Sequence, residues 1–278
     1  MGIRMATAPK GLTFLVGAFA ACAAGFAFAQ TPPAAQPMTE GQGAPIATHP
    51  LSAPCSVPTN EISSPAPLPT LIRRLENQQP LRILAIGSSS TWGVGATSNR
   101  KNYPSQLEAM LERVLKGVPI EMINRGVSGE TAGTTADRLR MEAALIKPDI
   151  VLWQVGTNDA VQRISVEHFE RTVTKTVAVL KRKKIDVVLV GLQYTPKFAR
   201  DEHYFAIREA LKRVAMEQNV LYVRRYQAME YLAKTKASMQ MMADDDFHLN
   251  DVGYQCMAEH IAQAVTANIF VRRRKPAS

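Results

Sequence analysis

Three adjacent serines follow an apolar run in the first third of the chain. Residues 81–86 have the sequence Leu-Arg-Ile-Leu-Ala-Ile, and Gly87 then precedes Ser88, Ser89 and Ser90. A buried parallel strand is a nearly continuous apolar run, and parallel sheets bind ligands just beyond the carboxyl ends of their strands. Because Gly87 permits a sharp turn, the hydroxyl of Ser89 is a candidate nucleophile in a cleft. The alternative is a strand-to-helix turn whose hydroxyls cap the next helix.

A hydroxyl nucleophile needs a base to take its proton and an acid to orient that base. Asp245 and His248 lie three residues apart in a polar stretch before the last predicted helix. This spacing lets the carboxylate fix the imidazole tautomer while the other ring nitrogen faces the serine. Asp244 and Asp246 flank this acid and are predicted to be solvated or to point elsewhere. The remaining histidines are predicted to be surface or packing residues: His49, His168, His203 and His260.

Two glycine-containing turns follow other predicted strands. Residues 124–131 contain Gly126 and Gly129 and open a helix, so backbone N–H groups near a helix N-terminus can face the cleft. Residues 156–159 have the sequence Gly-Thr-Asn-Asp, in which Asn158 offers an amide donor. Donors of both kinds stabilise the oxyanion of an acyl-transfer reaction. Each turn taken alone also fits an ordinary turn.

Strands and helices alternate along the chain from residue 81 onward. After the first strand, apolar segments predict strands at residues 119–124, 149–155, 185–192 and 220–223. The spacing of apolar residues predicts helices at residues 103–116, 131–147, 166–183, 204–218 and 251–270. Such alternation implies right-handed crossovers and a parallel sheet covered on both faces. We therefore predict an α/β fold, a three-layer α/β/α sandwich with a flavodoxin-like parallel sheet of about five strands.

The amino terminus has the pattern of a secretory signal peptide. Basic residues precede an apolar segment, and residues 27–29, Ala-Phe-Ala, form a small-x-small cleavage pattern. Residues 1–29 are predicted to be a signal peptide cleaved after Ala29, which implies a secreted or periplasmic protein; a retained membrane anchor is the alternative. Residues 30–69 are rich in Pro, Ala, Gln, Thr and Ser and are predicted to be a flexible leader. Residues 70–278 then form one domain of roughly two hundred residues.

The chain is basic, with a net charge of +9 that becomes +7 when Arg4 and Lys10 leave with the signal peptide. Much of the excess lies in two runs, residues 181–184 and 272–275, and the cations there complement the dipoles of helix C-termini. Nucleic acid is not an expected partner of an exported protein. Weak association with an anionic envelope surface is expected, because basic clusters gain affinity from such surfaces.

Export would leave two of the three cysteines, Cys55 and Cys256. An oxidising compartment would allow a disulfide between them, tying the leader to the last helix. Two separate thiols are the alternative, because a cysteine count does not establish proximity.

With these residues the chain resembles the SGNH hydrolases, also called GDSL esterases and lipases. Four blocks match in order: Gly87-Ser88-Ser89 for Gly-Asp-Ser, Gly129 for the glycine block, Gly156-Thr157-Asn158-Asp159 for Gly-x-Asn-Asp, and Asp245-x-x-His248. The resemblance spans residues 81–270. Any one block is weak evidence, whereas four blocks in order within an α/β pattern are strong evidence.

The resemblance implies a role for each matched residue. Ser89 would attack the substrate, His248 would act as general base and then general acid, and Asp245 would orient His248. The oxyanion hole would consist of the N–H groups of Ser89 and Gly129 and the side chain of Asn158. The chain departs from the family at residue 88, a serine where the family usually has Asp. Because that Asp is not a triad member, we expect an altered turn rather than lost catalysis.

No cofactor and no metal site is predicted. The acidic run at residues 244–246 lacks the glycine and distal glutamate of a calcium loop, and no His or Cys pair has zinc-site spacing. Val94 follows Gly93 where a phosphate loop would need Lys.

The sequence thus predicts an exported, metal-free serine esterase that hydrolyses acyl or acetyl esters of small molecules or glycans through an acyl-enzyme. The alternatives are a thioesterase or lysophospholipase using the same site, and a catalytically silent glycan- or lipid-binding module. Four aromatic residues are candidates to line an acyl or sugar site, or else to fill the rim of the core: Trp92, Tyr194, Phe198 and Tyr204.

Overall fold

The computed structural model describes residues 49–236 and 240–273, with side chains up to residue 269. The predicted signal peptide and residues 30–48 of the predicted leader lie outside the described residues, as do the side chains of the basic run at residues 272–275.

The centre of the fold is a sheet of six strands. The strands are β1 (Ser63–Ser64), β2 (Leu81–Gly87), β3 (Ile120–Gly126), β4 (Ile150–Gln154), β5 (Asp186–Val190) and β6 (Leu221–Val223). Their order is β1-β6-β5-β4-β2-β3, and all neighbours are parallel except β1, which pairs antiparallel with β6. The five parallel strands and their flavodoxin-like order confirm the prediction. The two-residue edge strand β1 was not predicted and makes the sheet mixed.

Helices connect the strands and cover both faces of the sheet. They are α1 (Pro69–Glu76), α2 (Ser89–Trp92), α3 (Tyr103–Val114), α4 (Ala132–Ile146), α5 (Thr157–Val161), α6 (Val166–Arg182), α7 (Glu202–Glu217), α8 (Arg225–Thr235) and α9 (Asp251–Arg273). The five long helices predicted from apolar spacing correspond to α3, α4, α6, α7 and α9, with ends within a few residues of those expected. None of the helices that the structure describes is both long and apolar enough to span a membrane.

Strand β2 shows how the two faces are built. Leu81, Ile83 and Ala85 pack into one core cluster with α1, α3, α8 and α9, whereas Leu84 and Ile86 pack into a second cluster with α4, α6 and α7. Successive side chains of a strand point to opposite faces, so a strand buried on both sides is apolar throughout. The predicted three-layer sandwich is confirmed.

The strand connections make the boundary between β2 and β4 the expected position for a ligand. Strand β2 pairs with β3 on one side and β4 on the other, so the strand order reverses at this point. In doubly wound sheets, ligands bind beyond the carboxyl ends of the strands at such a reversal. The segments that follow β2 and β4 are the short helices α2 and α5, which contain Ser89 and Asn158.

The prediction of a flexible leader up to residue 69 is wrong for residues 49–69. Cys55, Ile62 and Leu68 are buried, and Cys55 forms a disulfide with Cys256 of α9. The backbone N–H and hydroxyl of Ser52 both donate to a carboxylate oxygen of α9, at 2.7 and 2.9 Å. This segment has few large apolar residues, but the covalent bond and these hydrogen bonds fix it to the domain.

Candidate active site

Ser89 is the first residue of α2 and directly follows the turn that ends β2. Gly87, two residues earlier, lies so close to β4 that a Cβ added to it would be 2.5 Å from the carbonyl oxygen of Gln154. Glycine is therefore required at this position. Ser88 has extended dihedral angles before the helix begins. The turn presents Ser89 at the carboxyl end of the central strand, as the sequence predicted.

His248 joins Ser89 to Asp245. Its Nε2 lies 3.0 Å from the hydroxyl oxygen of Ser89, and its Nδ1 lies 2.5 Å from Oδ2 of Asp245. The other oxygen of Asp245 accepts the backbone N–H groups of Phe247 at 3.0 Å and His248 at 2.8 Å. The carboxylate thus fixes both the ring and the backbone of the loop that carries the histidine. The structure brings the three predicted side chains together.

The hydrogen bonds around Asp245 also set its ionisation. Partial desolvation acts to raise the pKa of Asp245, but the hydrogen bonds from the ring and N–H of His248 and from the N–H of Phe247 outweigh it and lower the pKa to about 2. Asp245 is therefore a carboxylate at neutral pH, and the Nδ1 of His248 must carry the proton between them. This tautomer leaves Nε2 free to accept the hydroxyl proton of Ser89.

The two flanking acids do not share this role. Asp246 has a positive φ of 53° and donates its N–H to the carbonyl of Ala243. Together with Asp244 it lines a cavity of about 330 Å³ whose other walls include Tyr194 and Met241. The prediction that these acids point elsewhere agrees with their positions.

Three hydrogen-bond donors were predicted to surround the future oxyanion. Within residues 49–236 and 240–273, no protein acceptor takes the N–H of Ser89 or of Gly129. Gly129 has a φ of +82° with open space where a Cβ would lie, so the backbone conformation requires glycine here. The side-chain amide of Asn158 donates one hydrogen to the carbonyl of Glu130, at 2.8 Å. Its second hydrogen remains available for a ligand.

Asp159 connects the two donor-bearing turns. It is buried, and both carboxylate oxygens accept the N–H of Ala132 at the start of α4, at 2.9 and 3.1 Å. Desolvation raises the pKa of Asp159 to about 6, although hydrogen bonds from Ala132 and nearby backbone N–H groups oppose the rise. The last residue of the Gly-x-Asn-Asp block therefore anchors the Gly129 turn beside Asn158.

Two glutamines near the site were not identified from the sequence. Gln154 ends β4, and its Oε1 accepts both the N–H and the hydroxyl of Ser88, each at 3.0 Å. Gln193 follows β5, and its side-chain amide donates to the carbonyl of Phe247 at 2.7 Å. A signal existed for both, because each is a polar residue at the carboxyl end of a buried apolar strand.

The four predicted aromatic candidates differ in how exposed they are. Trp92 is 61% exposed at the end of α2. Tyr204 is buried, and its hydroxyl donates to the carbonyl of Gln193. Tyr194 and Phe198 are partly buried and pack against the core. Trp92 is therefore the candidate with the most surface available to a ligand, and it lies three residues after Ser89.

The remaining histidines do not join the site. His260 is buried, and its Nε2 lies 2.7 Å from the carbonyl oxygen of Cys55. The predicted packing role of His260 agrees with this contact. Among the described residues, no three His, Cys, Asp or Glu side chains are grouped as a metal site.

Comparison with known proteins gives consistent matches. Residues 54–270 match the model of the non-GDSL lipase-like family. An arylesterase from Vibrio mimicus is 24% identical over 195 residues, which are 69% of this chain and 92% of the relative.

Solved structures share the fold at low identity. A two-domain esterase active on acetylated mannans, co-crystallised with mannopentaose, is 21% identical with a TM-score of 0.67; the match covers 77% of this chain but 58% of that chain. An acetyl xylan esterase from Geobacillus stearothermophilus is 22% identical with a TM-score of 0.58, over 68% of this chain and 96% of that one. Two structures of that esterase are described as catalytic mutants, one with a serine and one with an aspartate changed to alanine.

Proposed function

Because the chain belongs to the non-GDSL lipase-like family, among the SGNH hydrolases, we propose that it is an exported serine esterase that hydrolyses acyl esters, acetyl esters among them, through an acyl-enzyme. The family membership confirms the resemblance inferred from the sequence. The observation that carries the proposed mechanism is the continuous hydrogen-bonded chain from Ser89 through His248 to Asp245.

Acylation starts from this chain of hydrogen bonds. The Oγ of Ser89 attacks the ester carbonyl carbon while Nε2 of His248 takes the hydroxyl proton. Asp245 stabilises the imidazolium that forms and keeps its ring in place. The negative charge on the former carbonyl oxygen is received by the N–H groups of Ser89 and Gly129 and by the free amide hydrogen of Asn158. When the intermediate collapses, His248 returns the proton to the departing alcohol.

Deacylation repeats these steps with water. His248 takes a proton from a water molecule, whose oxygen attacks the carbonyl carbon of the acyl-serine. The same donors receive the second oxyanion, and its collapse restores Ser89 and releases the carboxylic acid. No cofactor is needed to balance either half-reaction.

We propose acetylated glycans as the first substrate class to test, with small-molecule esters beside them. Two structural neighbours are esterases of acetylated mannan and acetyl xylan. Two exposed apolar side chains lie within three residues of the candidate donors Ser89 and Gly129 in the sequence, Trp92 at 61% and Val127 at 46% exposure. They offer a surface against which a sugar ring or an acyl group can rest.

The decisive test combines a covalent probe with an ester panel. A fluorophosphonate probe is expected to label the wild-type protein, and Ser89→Ala is expected to lose both labelling and hydrolysis of an activated acetyl ester. Ser98→Ala is the matched control, because Ser98 is exposed and its side chain caps no helix. A folded wild-type protein that is neither labelled nor active would instead indicate a binding module.

A panel of acyl esters of graded chain length, run with acetylated glycans, tests the substrate class. We expect the highest kcat/KM for acetyl esters. Faster hydrolysis of long-chain esters or thioesters would favour the lysophospholipase or thioesterase alternative.

Export is supported by the signal-like pattern at residues 1–29 and by the Cys55–Cys256 disulfide, since such bonds persist in oxidising compartments. Mass spectrometry of the protein from fractionated cells should find Gln30 as the first residue, in the periplasm or medium. Recovery of the uncleaved chain from the cytoplasm would contradict this. Weak binding to anionic vesicles that disappears at high salt would support the expected envelope association.

A further inference from the structure

Arg225 is a buried cation behind the candidate active site. It is the first residue of α8 and is 3% exposed. Its Nη2 donates to Oγ of Ser90 at 3.1 Å and to Oε1 of Gln193 at 2.9 Å. Its Nε and Nη1 have no hydrogen-bond partner among the described residues, and no described carboxylate forms an ion pair with it.

This placement is energetically costly. A guanidinium taken out of water is unfavourable unless it is well paired, and the N-terminus of a helix is the unfavourable end for a cation. Three tyrosines act on Arg225 electrostatically, Tyr254, Tyr204 and Tyr103. Burial raises the pKa of each tyrosine, so none supplies a negative charge at neutral pH. An apolar side chain of similar size would serve packing alone at lower cost.

One acceptor of Arg225, Ser90, lies in α2, and the other, Gln193, is hydrogen-bonded to the loop of His248. Ser90 follows the candidate nucleophile in α2. The amide nitrogen of the Gln193 side chain donates to the carbonyl of Phe247, the residue before His248, at 2.7 Å. Arg225 and the glutamine therefore link the turn of the serine to the loop of the histidine.

The guanidinium and the carbonyl of Phe247 together fix which way the Gln193 amide faces. An amide can present either its oxygen or its NH₂ to a neighbour, but a guanidinium only donates hydrogen bonds. The oxygen of Gln193 must therefore face Arg225, which leaves the NH₂ facing the carbonyl of Phe247. Without the guanidinium, the amide oxygen loses its 2.9 Å donor, and the Gln193 side chain is held less firmly against the histidine loop.

We propose that Arg225 is a positioning residue for ester hydrolysis, which holds Ser89 and His248 in register through Ser90, Gln193 and Phe247. The inference rests on the proposed function of the same site. A displacement of reacting groups by about 1 Å can cost on the order of a hundredfold in rate. Removing the guanidinium should therefore lower kcat by about tenfold or more, with little change in KM, because Arg225 is buried behind the residues that would meet the substrate.

The first comparison uses Arg225→Met, Arg225→Lys and a neighbouring control. Arg225→Met is expected to lose kcat, and Arg225→Lys to recover part of it because the ammonium is also a pure donor. Arg224→Met is the control: Arg224 donates to Ser64 Oγ and the carbonyl of Asn60, at the β1 edge of the sheet. It is expected to lower the melting temperature while kcat stays unchanged. Equal kcat in the wild type and Arg225→Met would overturn the proposal.

A second variant separates positioning from folding. Gln193→Glu gives Arg225 a carboxylate partner, so the buried cation is better paired and the fold should be retained. The glutamate cannot donate to the carbonyl of Phe247, so kcat should still fall by about tenfold or more. Full activity in a folded Gln193→Glu would refute the link. The wild-type protein is assayed before any variant. If it is inactive on every ester, the proposed function is overturned together with this proposal.

Discussion

The Cys55–Cys256 disulfide should contribute a large part of the stability of this domain. It closes a loop with a sequence separation of 201 residues. In the chain-entropy description, closing so long a loop lowers the entropy of the unfolded chain by about 18 cal/mol/K, or about 5 kcal/mol at 25 °C. Natural domains have net stabilities of about 5–15 kcal/mol, so the Cys55→Ala/Cys256→Ala double variant should be markedly less stable. Its hydrolysis rate at 25 °C should be retained, because neither cysteine contacts Ser89, His248 or Asp245.

Urea unfolding of the oxidised protein and the double variant measures this difference. The reduced wild-type protein is the control, because it keeps both side chains and lacks only the bond. The free energy of unfolding of the reduced protein and of the double variant should be lower than that of the oxidised protein by a similar amount. This amount is about 3–5 kcal/mol when most of the loop-closure entropy appears as stability. A decrease in the free energy of unfolding below about 1 kcal/mol would refute the reasoning. It would show that residues 49–62 detach locally while the remainder of the domain stays folded. A thiol assay on the native protein that begins at Gln30, without Cys22, should find no free cysteine.

Asp245→Asn should reduce kcat/KM about ten-thousand-fold at neutral pH, because an amide can hold the wrong tautomer of His248, whereas Asp246→Asn should stay within about tenfold of the parent. Asn158→Ala should lower kcat by roughly a hundred- to a thousandfold with little change in KM, as measured with an activated acetyl ester. Burial raises the pKa of Asp159 from 3.8 to about 6, so its proton is held more tightly in the folded state and stability falls as the pH rises from about 4 to about 6. Asp159→Asn should remove this pH-dependent part, about 3 kcal/mol, in urea unfolding between pH 4 and pH 7.

The sheet was predictable because buried parallel strands are marked by continuous apolar runs and long helices by apolar spacing. Helix α8 was missed because it starts directly after β6 and Arg224, its N-cap, makes no side-chain capping bond. The packing of residues 49–69 was missed for another reason. Cys55, Ile62 and Leu68 are separate apolar residues in a polar segment, and their burial depends on contacts with distant parts of the chain.

The candidate site divides in the same way. Ser89, Asn158, Asp245 and His248 were identified because each lies in a short pattern at a strand end or before a helix. The position of Arg225 carries no such signal, since an arginine in a polar stretch is usually solvated. Its contacts with Ser90 and Gln193 span separations of 135 and 32 residues. Such convergence appears only when the strands are placed side by side.

Ser88 shows how a departure from the family pattern is accommodated locally. The N–H and the hydroxyl of Ser88 both donate to one atom, Oε1 of Gln154. The side chain of an aspartate at this position would offer only acceptor oxygens to Oε1 of Gln154, which is itself an acceptor. If the Gln154 amide rotated to donate to such a carboxylate, its NH₂ would face the backbone N–H of residue 88. One polar group would be left unpaired in either orientation, and an unsatisfied buried group costs about 1–3 kcal/mol. Serine at 88 and glutamine at 154 therefore fit each other, and the turn that presents Ser89 is held without the family's aspartate.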